Sequence, residues 1–344
     1  MNDMKQILQK ILNDEVSSTA EISQLIKLHG DASYRTYYRA VLSDGNTFIV
    51  MQMPEGKSSV SEEITNFNGT HKELPFINVE RYLSGLGLPV PAIRCYSEVH
   101  HLMVLEDLGD RLMARVVENA SEPERLLWYK KAVDLLVLMQ ERTRSAEIKS
   151  CVACARSFDA RLLNWEFDHF REYGVEARLG AKMSDEDLHI FEEETRAITS
   201  DIERMPRGFT HRDFQSRNLV IKDDDLYIID FQDALQGPRV YDLVALTRDS
   251  YVKLADDTLD ALIAYYASRV GRDAASVRRE FDMVTVQRKL KDAGRFVFID
   301  RVKKNPNFLQ YIPNSLGYVR DAFARMPERA RLREVIEKYL PEWR

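Results

Sequence analysis

Cysteine, long apolar runs and any excess of positive charge are what this chain has little of. Only Cys95, Cys151 and Cys154 occur in 344 residues, an odd, sparse set that fits a reducing compartment better than a disulfide-stapled secreted fold. Cys151 and Cys154 form a CxxC, but no second CxxC or pair of histidines lies near to complete a zinc site, so the two thiols are expected on a loop or helix edge. No apolar run approaches the 18 or so residues that a spanning helix needs, which excludes a membrane partner of that kind. The opening "MNDMKQILQKILNDEV" mixes acids with lysines and lacks the apolar core of a secretory signal, so a cytoplasmic location is expected. A net charge of −6 gives no broad footprint for nucleic acid.

What is present is ordinary in bulk and unusual in detail. Apolar residues make up 44% and charged residues 30%, as in soluble globular proteins, and the length calls for two domains or lobes. Residues 4–13 have amphipathic-helix spacing. Residues 21–54 then read as strand, a Gly-Asp-Ala-Ser loop, strand, an Asp44-Gly45-Asn46 turn and strand. The polar stretch 55–73 reads as an insert. A helix follows, stopped at Gly85-Leu86-Gly87, then two more strands up to Glu106. From Ser121 onward helices dominate, interrupted by one strand-rich segment.

That segment, "GFTHRDFQSRNLVIKDDDLYIIDFQDA" (208–234), carries the chemistry. Two short β-type runs, "NLVI" and "LYIID", flank an acidic turn and make a small hairpin, which is expected to bring Asn218 and Asp230 to one end with Asp213 on the loop leading in. Two hard oxygen ligands suit Mg²⁺, and a carboxylate off the metal can take a proton from an attacking hydroxyl. Phosphoryl transfer needs that set, since positioning and charge neutralisation do most of its catalysis. Asp and Asn are also common turn residues. Asp223 to Asp225 read as that alone, and His211 and Arg212 as structural residues holding the loop. The full spacing, His-Arg-Asp, four residues, Asn, strand, turn and a strand ending in Ile-Asp-Phe, matches the catalytic loop of protein kinases.

Four stretches together, "GDASYRTYYR" (30–39), "VLEDLGD" (104–110), "HRDFQSRN" with "IDFQDALQGPRVYDL" (211–243) and "QRKLKDAGRFVFID" (287–300), make the chain resemble the aminoglycoside phosphotransferase and choline kinase family. Within it the chain is most similar to the anomeric kinases of cell-wall recycling, which phosphorylate N-acetylmuramate and N-acetylglucosamine at the C1 hydroxyl. Arg212 stands where many relatives have glycine. The resemblance implies an α+β, two-lobed protein-kinase-like fold: a small antiparallel-sheet lobe over residues 1–106, with an N-terminal helix, binding nucleotide, and a larger, mainly helical lobe over 107–344 holding the catalytic loop and substrate site. It implies ATP and Mg²⁺ as cofactors and a small-molecule substrate, an amino sugar. Asp213 would be the catalytic base, Asn218 and Asp230 the metal ligands, Glu106, Asp107 and Leu108 the hinge that grips adenine through its backbone, and Gly30, Asp31, Ala32 and Ser33 the loop over the phosphates. Asp242 would be a buried carboxylate bracing the catalytic loop. Arg217, Gln232 and Asp233 are candidates for the acceptor side.

Two departures keep alternatives open. On the third strand, "TFIVMQMP", Met51 or Gln52 stands where kinases carry a lysine for the α- and β-phosphates, and the phosphate loop has a single glycine. Arg35 or Arg39 could supply the displaced cation, and Glu80, without its usual partner, reads as a solvated helix residue. The alternatives are a catalytically degenerate, kinase-like binding protein, and a kinase for another hydroxyl acceptor such as an aminoglycoside, choline or homoserine.

Overall fold

In a computed structural model of the chain, residues 2–16, 19–28, 35–53, 73–145 and 151–343 are described. They divide into two compact units, Met1–Arg111 with Val220–Gln232, and Leu112–Leu219 with Asp233–Arg344. The phosphate loop Gly30–Ser33 and, except for Glu73, the insert 55–73 lie outside the described residues.

The first unit runs α1 (Asn2–Glu15), β1 (Ile22–Lys27), β2 (Thr36–Leu42), β3 (Thr47–Gln52), α2 (Pro75–Gly85), β4 (Ile93–Ser97) and β5 (Leu102–Glu106). The strands pair antiparallel in the order β1-β2-β3-β5-β4. Alternation sets the sheet's faces. Tyr38, Ala40 and Leu42 of β2 join Val50, Leu102 and Val104 in one core with Leu8, Ile11 and Leu12 of α1. Met51 and Met103, the cross-strand partners next to that set, are fully buried. The turn between β2 and β3 places Gly45 at φ +88°, where a side chain would be strained, and the Asp44 carboxylate accepts the Asn46 backbone N–H at 3.0 Å. Glu80 is not solvated. It falls one helical turn after Phe76, on the buried face of α2 with Val79 and Leu83, and is 9% exposed. Burial raises its carboxyl pKa against the pull of Ser84, Arg81 and the Ile93 backbone.

The second unit begins with α3 (Met113–Glu118), α4 (Glu122–Ser145), α5 (Val152–Ala155) and α6 (Ala160–His169), the last capped by Asp159, whose side chain accepts the Leu162 N–H at 2.9 Å. α6 passes without a break into a π-helical stretch, Phe170–Ala177. α7 (Asp185–Glu203) and β6 (Arg207–Thr210) follow. The hairpin of β7 (Leu219–Lys222) and β8 (Asp225–Ile228) groups, from Val220, with the first unit. Its turn residues Asp223 and Asp224 both have positive φ, which matches the right-handed twist of a two-residue hairpin. β9 (Leu235–Pro238) returns to pair with β6, and α8 (Tyr241–Thr247), α9 (Asp256–Arg269), α10 (Ala274–Lys303), α11 (Ile312–Phe323) and α12 (Ala330–Tyr339) complete the unit. Among the described residues no helix is long and apolar enough to cross a membrane.

The π-helical stretch and α10 meet backbone to backbone. A Cβ added at Gly294 would stand 2.8 Å from the Phe170 Cα and 3.0 Å from the His169 carbonyl oxygen. Gly317, inside α11, has nothing of the kind within 4 Å. Gly317→Ala is therefore expected to stabilise the protein, by up to about 1 kcal/mol from helix propensity. Gly294→Ala gains the same term but must push a backbone aside, at a cost of about 1–3 kcal/mol, and is expected to lower the urea midpoint.

Candidate active site

Between β6 and β7 the chain forms a loop, His211–Gln215, and a short 3₁₀ turn, Ser216–Asn218. Buried charges fix it in place. The Asp242 carboxylate, in the first turn of α8, accepts the backbone N–H of His211 at 2.7 Å and of Arg212 at 3.0 Å. Burial raises its pKa to about 7, against those two donors and the nearby charge of Arg288. The Asp213 N–H donates to His211 Nδ1 at 3.3 Å. Arg212 has φ +77°, a conformation easy for glycine and costly, by about 1–3 kcal/mol, for other residues. What offsets this is an ion pair: its guanidinium donates at 3.0 Å to Glu166 of α6, a fully buried carboxylate whose other oxygen accepts from Gln287 Nε2 at 2.6 Å.

Asp213 has its own cation. Arg288, on α10 and with no exposed surface, donates to Asp213 Oδ1 at 3.1 Å and to the Arg212 carbonyl at 2.6 Å. Burial alone would raise the Asp213 pKa, but the charges of Arg288, Lys291 and Arg212 bring it down to about 2. The group is a carboxylate at any physiological pH. Asn218 is pinned to the same loop, its Nδ2 donating to the Asp213 carbonyl at 2.8 Å, which turns its Oδ1 the other way. An amide oxygen so aimed is a hard donor of the type Mg²⁺ accepts.

The first unit holds the other candidates. Asp230, also in a left-handed conformation at φ +63°, accepts from Gln232 Nε2 at 3.0 Å and lies 3.6 Å from the Arg35 guanidinium. Its carboxylate is a second hard oxygen donor. Arg35 also bonds the Tyr37 hydroxyl, and Tyr37 is the cross-strand partner of Met51. A cation thus reaches Asp230 although β3 has no lysine. Arg39 is committed elsewhere, donating twice to Asp107 and twice to Asp110. Glu106 accepts from Lys222 at 2.6 Å and from the Ala92 N–H at 3.2 Å, and Leu108 is buried. The side chains of residues 106–108 are thus taken up by the fold, and their backbone is what could meet a ligand.

His211, Arg212, Asp213, Asn218 and Asp242 come together in the second unit, and Asp230 and Gln232 in the first. Arg217 packs its guanidinium 3.5 Å from the Tyr251 ring centroid and donates to the Tyr311 hydroxyl at 3.3 Å, while Asp233 acts on Arg212 through its charge. Cys151 is buried and Cys154 accepts from Gln236 Nε2 at 3.6 Å. The sequence assigns Arg288 and Glu166 no part in fixing the loop. The signal for the first was the crowding of cations in "QRKLKDAGR", too dense for the inner face of a helix unless anions meet it.

The fold is that of the small-molecule kinases. An ADP-bound aminoglycoside phosphotransferase, APH(2'')-Ib, superposes with a TM-score of 0.58 at 15% identity, over 91% of this chain and 97% of the other. The choline kinase LicA from Streptococcus pneumoniae does so with a TM-score of 0.60 at 16% identity, over 93% and 99%. Residues 24–281 match the model of the phosphotransferase enzyme family, and the chain belongs to that family. Its relatives include the N-acetylmuramate/N-acetylglucosamine kinases of Pseudomonas putida, 25% identical over 96% of this chain and 92% of the relative, and of Pseudomonas aeruginosa, 27% identical over 91% and 88%.

The loop's dependence on buried pairing can be measured apart from activity. Glu166→Gln removes the charge bonded to Arg212 and leaves a buried guanidinium with the unbonded charges of Asp233 and Asp213. The expected cost is about 3–5 kcal/mol of unfolding free energy, read by urea denaturation.

Proposed function

We propose that this protein is an ATP-dependent kinase that transfers a phosphoryl group to the anomeric C1 hydroxyl of an amino sugar, N-acetylmuramate or N-acetylglucosamine, in peptidoglycan recycling. The observation that carries the reading is a carboxylate, Asp213, locked by a buried arginine on a kinase-type loop, in a chain whose relatives of that activity match it almost end to end. Asp213 Oδ1 is taken by Arg288, so Oδ2 is left to hold the acceptor hydroxyl in line with the phosphorus. A carboxylate with so low a pKa is a weak base. That suits a loose transition state, in which orientation matters more than early deprotonation, and an anomeric hydroxyl, more acidic than an ordinary alcohol. The backbone of Glu106 to Leu108 grips adenine, and Arg35 takes over the phosphate contact of the missing lysine. Asn218 and Asp230 would supply the oxygen ligands for Mg²⁺, which would neutralise charge on the phosphates. The rival reading, a degenerate kinase, draws on Met51, and the same experiments separate the two.

Asp213→Asn is expected to keep nucleotide binding and to lose about 10²–10⁴-fold in turnover. The wild type should consume the reducing end of the sugar in step with ADP release and give an acid-labile phosphate, and 1-O-methyl glycosides should be inert. A methyl glycoside turned over as fast as the free sugar would sink the anomeric assignment, and no turnover of any acceptor would favour the degenerate kinase. Arg35→Gln removes a charged contact of about 1.5–3 kcal/mol and should raise the KM for ATP about tenfold or more. An unchanged KM would show that Arg35 serves only Asp230 and Tyr37.

A further inference from the structure

One face of α10 leads away from the catalytic aspartate. Arg288, Lys291, Arg295 and Phe298 lie at i, i+3, i+7 and i+10, so they share one stripe of the helix. Arg288 touches Asp213 itself. Lys291 stands about 4.5 Å further along the axis and Arg295 about 10 Å, at 1.5 Å per residue. The end of α6 and the π-helical stretch lie alongside, brought in by the Gly294 contact. There Trp165 stacks on His169 with centroids 5.2 Å apart, His169 lies 4.7 Å from Tyr173 and 5.3 Å from Phe298, and Tyr173 meets Phe298 edge-on at 5.1 Å. The Arg295 guanidinium sits 5.1 Å over the Phe298 ring.

Three features of this strip are unexplained by folding alone. His169 is 7% exposed, yet its Nε2 has no hydrogen-bond partner. Such a buried polar atom costs stability unless something meets it. Burial and the charges of Arg295 and Lys291 hold its pKa down at about 4, so the ring is neutral. Second, one carboxylate stands between two ammonium groups: Asp292 accepts from Lys289 at 2.7 Å and lies 3.0 Å from Lys291 Nζ as an ion pair. Lys289 is enclosed, whereas the Lys291 side chain keeps 15% of its surface. Third, the chain widens into a π-helix here, a form found mostly as short bulges, frequently at functional sites.

Resting on the amino-sugar reading above, we propose that this strip is the acceptor subsite and that Lys291 is its specificity residue, pairing with the carboxylate that N-acetylmuramate has and N-acetylglucosamine lacks. With C1 at Asp213, a pyranose ring reaches about one helical turn along α10, which brings its substituents to Lys291. The part-exposed rings of Trp165 and Tyr173 offer an apolar wall, with the buried ring of His169 stacked behind them.

The test is a comparison of kcat/KM for the two sugars in wild type, Lys291→Gln and Lys291→Arg, with thermal melts to confirm folding. The preference for N-acetylmuramate over N-acetylglucosamine should fall about 10- to 100-fold in Lys291→Gln and largely return in Lys291→Arg. A neutral lactamide analogue of N-acetylmuramate makes the same comparison without relying on the variant's fold. The wild type should disfavour it by a similar factor, and Lys291→Gln should not distinguish it from the acid. An unchanged ratio in Lys291→Gln, or a wild type indifferent to the amide, overturns the assignment of Lys291 while leaving the kinase reading in place. A wild type that phosphorylates neither sugar overturns both.

Discussion

A guanidinium with no contact to water cannot exist without negative partners, and Arg288 is such a group. It finds them on one loop, in the carboxylate of Asp213 and the carbonyl of Arg212. The position of Asp213 therefore follows from the packing of a 30-residue helix rather than from the loop's own preferences. Glu166 and Asp242 extend the same logic, each a buried carboxylate satisfied by loop donors. Three helical residues far apart in sequence, Glu166, Asp242 and Arg288, thus converge on three consecutive residues, with Gln287 bracing Glu166. None of these pairs adds much net stability relative to an apolar core, but each makes departure from the observed geometry expensive.

Strain is what such pairing can sustain. Arg212 and Asp230 are non-glycine residues in the left-handed region, and both carry charge that is met at the site, by Glu166 in one case and Arg35 in the other. Glycine at either position would relax the backbone and remove the charge together. An arginine at 212 is consistent with a loop held by electrostatics where conformational freedom alone would have served.

The first sheet was legible because β2 alternates and an Asp-Gly turn joins it to β3, and the β7–β8 hairpin because paired aspartates form its turn, so local chemistry and tertiary burial agree. The candidate site could be read because Asp213, Asn218 and Asp230 are close in sequence. Glu80 was misjudged, since a charged residue on a helix is usually solvated and only its spacing from Phe76 and Leu83 betrayed its burial. For Arg288 the crowding of cations around it was the one local sign, and Glu166 had no local signature. Their roles are defined by partners 75 and 46 residues away. Nor does any turn residue announce the π-helical stretch. It begins where Gly294 approaches Phe170, a contact between segments more than a hundred residues apart.

The hairpin Val220–Gln232 completes a unit whose other part ends at Arg111. Until it arrives, Glu106 lacks Lys222, Phe76 lacks the ring of Phe231 that lies 4.8 Å from it, and the Pro89 carbonyl lacks the Ile228 N–H. On a ribosome adding about 5–20 residues per second, that interval lasts on the order of ten seconds. The nascent sheet must therefore persist unfinished while more than a hundred residues of the other unit emerge. A gene cut after residue 111 would encode a permanently incomplete fragment. The unit boundary in space is not a boundary along the chain, and a circular permutation would have to respect the first rather than the second.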